Sequence, residues 1–349
     1  MAKLARRHGL CGLVFFVPLC LRGEKFKLIP LTPYRAPWWL PGGHAQTLYA
    51  YFFIRAPRVF YRRERWELAD GDFLDLDWLD GPPQAPLLVL FHGLEGDSQG
   101  FYARALMAAV RAQGWRGVVA HFRGCSGEPN RLPRAYFAGD SGDIGTVLMR
   151  LKAAHAGAPL HAVGVSLGGN ALLKWLGEQG AAAAEVLERA VAVSAPVDLT
   201  AAGGALDRGF NRRVYTAHFL HSLRRKALDK LRRYPGLYDG RAVTGVRSLR
   251  AFDDLVTAPL HGYRDADDYW RRASSKPGLV RVRVPTLLIN ARNDPFLPAH
   301  VLPRGAEVSS RVVLDYPAQG GHAAFPGGPF PGHIGWLAAR VLGFLQESL

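Results

Sequence analysis

The chain has 349 residues, 48% of them hydrophobic and 21% charged, which supplies a sizeable core and excludes widespread disorder. Its 44 basic and 29 acidic residues give a formal net charge of +15, and such an excess favours anionic partners. The basic residues form no single block, however, and neither zinc-finger spacing nor an RNA-binding aromatic signature is present. We therefore interpret the charge as a solvated basic surface and expect no nucleic-acid partner, while peripheral contact with an anionic membrane stays open.

The first 25 residues are predicted to lie outside the folded domain. A basic start is followed by an apolar run from Leu10 to Leu21, which is too short to span a bilayer comfortably and lacks a small-residue cleavage site. Three interpretations stay open for residues 1–25: a poorly ordered tail added by an upstream start codon, which we favour, a weak membrane anchor, or an inefficient signal. The three cysteines are too few for a disulfide framework, so the predicted location is the cytoplasm, with membrane association as the alternative.

The chain from residue 26 onwards carries the signals of a folded domain. Residues 26–58, rich in proline, glycine and aromatics, are predicted to form an irregular arm that packs on the domain. The predicted strands follow at 59–68, 72–79, 86–92, 117–123, 160–165, 189–196, 284–291 and 311–317. Helical patterns are found at 101–114, 140–155, 170–176 and 332–346. This alternation predicts an α/β fold with a mostly parallel eight-stranded sheet covered by helices on both faces.

The alternation stops between residues 198 and 280. Two stretches there, 210–234 and 249–275, have amphipathic or polar helical patterns. We therefore predict a helical lid inserted at 198–280 into a core formed by residues 59–197 and 281–349. An insertion at this point would cover the carboxyl ends of the strands and shape a substrate pocket.

Ser166 stands between two glycines in the stretch HAVGVSLGGNALL, on the turn between a predicted strand and a predicted helix. A turn that exposes a serine hydroxyl in this way brings backbone atoms so close that only glycine fits at Gly164 and Gly168. The pattern alone is weak in a chain with 39 glycines, but its context predicts a nucleophile elbow.

A serine hydroxyl is a weak nucleophile near neutral pH and needs a base, together with a group that orients the base. In α/β-hydrolases the acid and then the histidine follow the serine along the chain. Asp294 follows a predicted strand and precedes a proline, so we predict it as the acid, with Asp198 as the rival. His322, in a glycine-rich loop after the last strand, is the predicted base, whereas His300 and His333 fall in helical or capping stretches.

The tetrahedral intermediate of such a reaction needs backbone N–H donors for its oxyanion. We assign these donors to Leu167, directly after the serine, and to Leu94, in the loop after the third predicted strand. His92 is predicted to hold that loop rather than to act as a base. Cys125 is a poor nucleophile candidate because no histidine follows it in matching order. Arg123 is predicted to pair with an acidic residue of the lid such as Asp253 or Asp254, and the alternative is that it faces an anionic substrate.

Six stretches carry a resemblance to the YheT-like branch of the α/β-hydrolase superfamily, which are bacterial relatives of eukaryotic ABHD-type lipid esterases. They are PGGHAQT (41–47), HGLEGDS (92–98), HFRGCSGEPNR (121–131), GVSLGGN (164–170), FDDLVTAPLHGY (252–263) and GGHAAF (320–325). The resemblance runs from about Trp38 to the C-terminus. This chain has Gly42-Gly43-His44 where the family often has Asn-Gly-His or Asn-Pro-His, a departure that leaves the predicted triad untouched.

The resemblance implies a serine hydrolase that cleaves carboxylic esters through an acyl-enzyme on Ser166, with no metal or organic cofactor. The expected substrates are short- to medium-chain acyl esters or monoacylglycerol-like lipid esters. Two alternatives stay open: transfer of the acyl group to an alcohol by the same triad, and a non-catalytic binding protein on a hydrolase fold.

Overall fold

The structure is a computed structural model that describes residues 16–19, 27–30 and 33–347. The strands are Phe16–Leu19 (β1), Lys27–Pro30 (β2), Arg62–Glu67 (β3), Phe73–Leu79 (β4), Leu87–Phe91 (β5), Arg116–Ala120 (β6), Leu160–Val165 (β7), Arg189–Val193 (β8), Thr286–Ile289 (β9) and Val312–Asp315 (β10). Apart from residues 16–19, the predictions for residues 1–25 lie outside the described residues.

The helices are Gly43–Phe52 (α1), Phe101–Ala112 (α2), Ser141–Ala154 (α3), Leu167–Gln179 (α4), Ala183–Val186 (α5), Leu199–Leu206 (α6), Gly209–Asn211 (α7), Ala217–Arg233 (α8), Gly240–Gly245 (α9), Leu249–Phe252 (α10), Ala258–Leu260 (α11), Ala266–Ala273 (α12) and Gly335–Gln346 (α13). Single π-helical turns at Arg212–Thr216 and Asp253–Thr257 join α7 to α8 and α10 to α11. Short 3₁₀ segments occur at Gly180–Ala182, Lys276–Arg281, Ala299–Val301 and Gly305–Glu307.

One large sheet contains eight of the strands, in the order β10-β9-β8-β7-β5-β6-β4-β3. All pairs from β10 to β6 are parallel, and only the pairs that involve β4 are antiparallel. The eight predicted strands and the mostly parallel sheet are therefore confirmed. The edge strand β3, with the sequence RRERWE, is largely exposed and charged, which protects the edge from pairing with another chain.

The central strands are buried on both faces, because helices cover the sheet on each side. Side chains of α2 and α13 form one apolar layer with the sheet, and those of α3 and α4 belong to the layer on the other face. In the register of the sheet, Val165 lies beside Val193, which in turn lies beside Ile289. Ser166, Ser194 and Asn290 thus follow neighbouring strands at the same edge of the sheet.

The segment between β8 and β9 contains helices α6 to α12 and a small apolar cluster of its own, which includes Tyr215, Leu220 and Phe252. Asn170 at the start of α4 ties this segment to the core. Its amide donates to the carbonyls of Ala138 and Ala273 at 2.8 and 2.9 Å, and its carbonyl accepts from the N–H of Ser275 at 3.0 Å. That this segment acts as a lid stays a prediction.

The prediction of an irregular arm at 26–58 is wrong in two parts, because Lys27–Pro30 forms strand β2 and Gly43–Phe52 forms helix α1. The buried positions of this helix are Gln46, Thr47 and Ala50. Two of the three are polar, so the hydrophobic periodicity that reveals a helix in sequence is missing here.

Candidate active site

Ser166 lies at the turn between β7 and α4, with φ 53° and ψ −121°. This left-handed conformation is unfavourable for a residue with a side chain, and it is held by a hydrogen bond of 2.8 Å from the Ser166 N–H to the Val193 carbonyl. A Cβ atom on Gly164 would lie 2.5 Å from the Gly168 carbonyl oxygen, and one on Gly168 would lie 2.4 Å from that of Phe91. The two flanking glycines are therefore required by close backbone approach.

The structure brings together the three side chains that the sequence predicts as a triad. His322 Nε2 lies 2.9 Å from Ser166 Oγ, and His322 Nδ1 lies 2.9 Å from Asp294 Oδ2 and 3.1 Å from Oδ1. The Asp294 side chain is completely buried, and its Oδ1 also accepts a 2.8 Å hydrogen bond from the Phe296 N–H. The Phe296 ring stacks on the His322 ring with centroids 4.0 Å apart, which fixes the plane of the imidazole.

The loop that carries His322 is held by four side chains through four successive backbone N–H groups. The N–H groups of Gly320, Gly321, His322 and Ala323 donate, in that order, to Gln46 Oε1, Asn293 Oδ1, Thr47 Oγ1 and Ser194 Oγ, at 2.9, 3.1, 2.9 and 2.9 Å. We call these acceptors the loop clamp. They come from α1 and from the turns after β8 and β9, so the position of the imidazole depends on three separate parts of the fold.

Gln46 is the most connected member of the loop clamp, and it is fully buried. Its amide N–H₂ donates to the Leu40 carbonyl at 3.0 Å and to Gln319 Oε1 at 2.8 Å, and its oxygen also accepts from Asn293 Nδ2 at 3.0 Å. Gln46 and Thr47 were not among the residues predicted to form the site. The available signal was the PGGHAQT stretch, which is one of the six that carry the family resemblance.

The two predicted oxyanion donors lie on the loop after β5 and at the first residue of α4. Within the part of the chain that the structure describes, neither the Leu94 N–H nor the Leu167 N–H donates to an acceptor. Glu95, next to Leu94, has a positive φ of 55°. Tyr136 OH accepts from the Glu95 N–H at 2.8 Å and donates to Glu95 Oε1 at 2.7 Å, and Lys226 of α8 pairs with the same oxygen at 2.8 Å.

His92 holds this loop, as predicted. The Phe122 N–H lies 3.1 Å from His92 Nε2 and can only donate, so the proton of the neutral ring belongs on Nδ1, which lies 2.8 Å from the Gly93 carbonyl. Complete burial lowers the pKa of His92 to about 3, with a smaller contribution from His121. A neutral ring that bridges the loops after β5 and β6 has a structural role.

The prediction for Arg123 is wrong. Its guanidinium makes two hydrogen bonds to Asp143, at 2.7 and 2.8 Å, and further ones to Asp72 at 3.0 Å and Asp70 at 2.8 Å. Asp253 instead accepts from the Trp270 indole, and Asp254 from the Ala266 N–H. The buried Arg123 joins the start of β4 to α3, two elements whose proximity the sequence does not reveal.

The remaining candidates from the sequence do not join the group around Ser166. Asp198 caps α6 by accepting from the Ala201 N–H at 3.0 Å, and His300 lies in a 3₁₀ turn. His333 accepts from the Gly335 N–H at 3.2 Å at the start of α13. Burial raises the pKa of the Cys125 thiol to about 12, so this cysteine is a poor nucleophile.

A cavity of about 670 Å³ opens between Ser166 and the helices that lie between β8 and β9. Its apolar lining residues include Leu199, Leu206, Val256 and Trp270. The basic lining residues are Arg123, Arg225, Lys226, Lys230 and Arg233, and the acidic ones are Glu95, Asp97, Glu128, Asp229 and Asp253. Because the two signs are equal in number, the cavity shows no formal preference for a charged ligand. No helix among the described residues is long and apolar enough to cross a bilayer.

Comparison with known proteins agrees with the observed fold. The sequence pattern of the alpha/beta hydrolase fold matches residues 86–329. The chain is 42% identical to the Escherichia coli K12 protein named "Putative esterase YheT", over 88% of this chain and 91% of that protein. It is 32% identical to phospholipase ABHD3 of Mus musculus, over 89% of this chain and 77% of that protein.

Among solved structures, the esterase Pf2001 of Pyrococcus furiosus superposes with a TM-score of 0.54 at 16% identity, over 85% of this chain and 97% of that one. This likeness concerns the fold alone. The chain therefore belongs to the α/β-hydrolase family of esterases and lipases, in the branch that contains YheT and ABHD3.

Proposed function

We propose that the protein cleaves carboxylic esters through an acyl-enzyme on Ser166. The observation that carries this proposal is the chain of contacts from Ser166 Oγ to His322 Nε2, and from His322 Nδ1 to Asp294, each at 2.9 Å. A hydroxyl, a base and a buried acid in this order are what nucleophilic acyl transfer requires.

In the proposed reaction, Ser166 Oγ attacks the ester carbonyl while His322 Nε2 takes its proton. The carboxylate of Asp294 holds the imidazole in orientation and stabilises its positive charge. The free N–H groups of Leu94 and Leu167 donate to the oxyanion. His322 returns the proton to the departing alcohol, and a water molecule, deprotonated by the same histidine, then releases the acid and frees Ser166.

The proposed substrates are short- to medium-chain acyl esters or monoacylglycerol-like lipid esters. The apolar residues in the lining of the cavity that contains Ser166 suit an acyl chain, and the balanced charges of the lining do not require a charged alcohol. The name of ABHD3 describes a phospholipase, which supports a lipid ester as substrate. Because lipid esters reside in membranes, a substrate of that kind would require the protein to work in contact with a lipid surface.

The test combines a fluorophosphonate probe with hydrolysis of p-nitrophenyl esters of increasing chain length. We expect the probe to label the wild type and not Ser166→Ala, and we expect Ser166→Ala to lose at least about 10³-fold in kcat. The chain length with the highest kcat/KM measures the acyl site. Ester synthesis in the presence of an added alcohol would indicate acyl transfer, and a wild type that is neither labelled nor active would indicate a binding protein.

A matched pair of variants tests the acid. Asp294→Asn should lower kcat by about 10³- to 10⁴-fold, because the amide cannot stabilise the imidazolium. Asp198→Asn should keep full activity, because asparagine caps a helix as well as aspartate does. Loss of activity in Asp198→Asn, with activity kept in Asp294→Asn, would show that Asp198 is the acid of the triad.

A further inference from the structure

An unusual group of exposed aromatic side chains lies at the end of α1. Tyr51, Phe52 and Phe53 are 54%, 64% and 67% exposed, and Phe330, from the loop before α13, is 73% exposed. Ring contacts connect them in a row from Phe330 through Trp39, Tyr49, Phe53 and Phe52 to Tyr51, with centroids 4.9 to 6.3 Å apart. We call these six residues the aromatic strip. Trp39 and Tyr49 are half-buried and the other four rings are exposed, and exposed aromatic patches of this kind mark an interaction surface.

The aromatic strip reaches the mouth of the cavity that contains Ser166. At the end of the strip, the Tyr51 ring packs against the ring of His218 on α8 with centroids 5.9 Å apart, and His218 lines the cavity. A molecule held on the strip is therefore next to the entrance of the candidate active site.

The charged residues that lie next to α1 in the sequence are basic. Arg55 and Arg58 follow α1 directly, both are exposed, and neither makes an ion pair or a side-chain hydrogen bond with any described residue. No acidic residue occurs between Glu24 and Glu64 in the sequence. Aromatic rings prefer the interface between a bilayer and water, and unpaired arginines are attracted to anionic headgroups. Two such signals together are what stable peripheral binding requires.

We propose that the aromatic strip, with Arg55 and Arg58, docks the protein on an anionic lipid surface and places the cavity mouth against it. The choice of a lipid surface rests on this combination of exposed rings with unpaired cations. The benefit for catalysis rests on the proposed function, since a lipid ester would enter from the membrane, but docking itself does not require turnover.

The test is co-sedimentation of the full chain with vesicles of phosphatidylcholine alone, or of phosphatidylcholine with phosphatidylglycerol, at low and raised salt. We expect binding to the anionic vesicles that weakens with salt. Phe52→Ser with Phe53→Ser should lower the partition coefficient at least about tenfold. Arg55→Gln with Arg58→Gln should lower it about tenfold on anionic vesicles only.

The matched control is Met149→Ser. Met149 is 57% exposed and lies on α3, on the opposite face of the sheet from α2, whose Phe101 contacts the strip residue Tyr51. This variant should bind like the wild type. All variants should keep kcat/KM on p-nitrophenyl butyrate within about twofold, and docking should persist in Ser166→Ala, so failure of the proposed function and failure of docking are separate results.

Three outcomes would overturn the proposal. One is no binding of the wild type to anionic vesicles. Another is unchanged binding of the Phe52 and Phe53 double variant, which is what an anchor elsewhere in the chain, including residues 1–25, would produce. The third is that the wild type is a dimer, the Phe52 and Phe53 double variant is a monomer, and the two bind vesicles equally. The aromatic strip would then contact a second copy of the chain.

Discussion

The position of His322, the predicted base, depends on the hydroxyl group of Thr47. The backbone N–H of His322 donates to Thr47 Oγ1 at 2.9 Å, and the Thr47 hydroxyl donates to the Gly43 carbonyl at 2.7 Å. The hydroxyl therefore fixes the height of the histidine loop above α1. Thr47 touches no reacting atom, so its role in the proposed reaction is to position His322.

Replacing Thr47 by valine tests this positioning role, because valine keeps the shape of the side chain and removes the hydroxyl. We expect Thr47→Val to lower kcat about tenfold with little change in KM, since a small displacement of the base affects the chemical step more than substrate binding. Thr47→Ser keeps the hydroxyl and should restore kcat. Steady-state kinetics on p-nitrophenyl butyrate give both constants, and a kcat of Thr47→Val within twofold of the wild type would contradict the role.

The contact between α4 and β5 is the element on which the serine turn depends. Gly168, in the first turn of α4, lies against the carbonyl oxygens of Phe91 and His92, and an added Cβ atom would come within 2.4 and 2.5 Å of them. Real Cβ atoms do not approach backbone oxygens so closely. Any side chain at this position must therefore push α4 away from the sheet.

For this reason Gly168→Ala should lower the free energy of unfolding by about 3 kcal/mol and remove ester hydrolysis. The matched control is Gly204→Ala in α6, where an added Cβ atom has no neighbour within 4 Å. That variant should be neutral or more stable by about 0.5 to 1 kcal/mol. Urea unfolding measures both, and a Gly168→Ala protein as stable as the wild type would refute the close packing of α4 on β5.

Sequence patterns identify elements better than they identify the contacts between them. The eight strands and the order of Ser166, Asp294 and His322 could be predicted because periodicity and chain order are local properties. Helix α1 was missed because its buried face is polar at Gln46 and Thr47. The partners of Arg123 were missed because Asp72 and Asp143 come close only in the folded chain.

The whole molecule contains buried histidines that couple its stability to pH. Burial, with a smaller contribution from the charge of Arg189, lowers the pKa of His161 to about 4, and the ring stacks on Trp115 with centroids 5.2 Å apart. Between about pH 6.5 and pH 4, the unfolded chain binds a proton at this side chain and the folded chain does not. The free energy of unfolding therefore falls as the pH falls through this window, and His92 adds an effect of the same sign.

The variant His161→Phe removes one of these titrating groups and keeps an aromatic ring beside Trp115. Between pH 7 and pH 5 the wild type should lose about 2 kcal/mol more stability than the variant does. Urea unfolding at the two pH values measures this difference. An equal loss in the two proteins would show that His161 titrates alike in the folded and unfolded chains.

The loop clamp has a consequence for the order in which the protein is made. The hydrogen bond from the Gly320 N–H to Gln46 joins residues 274 positions apart, and the one from the His322 N–H to Thr47 joins residues 275 positions apart. During synthesis Gln46 and Thr47 are made long before Gly320 and His322, and Ser166 is made well before His322. A ribosome-bound chain that has not yet reached residue 322 thus carries Ser166 without the base that activates it, so the proposed activity requires that synthesis has passed His322.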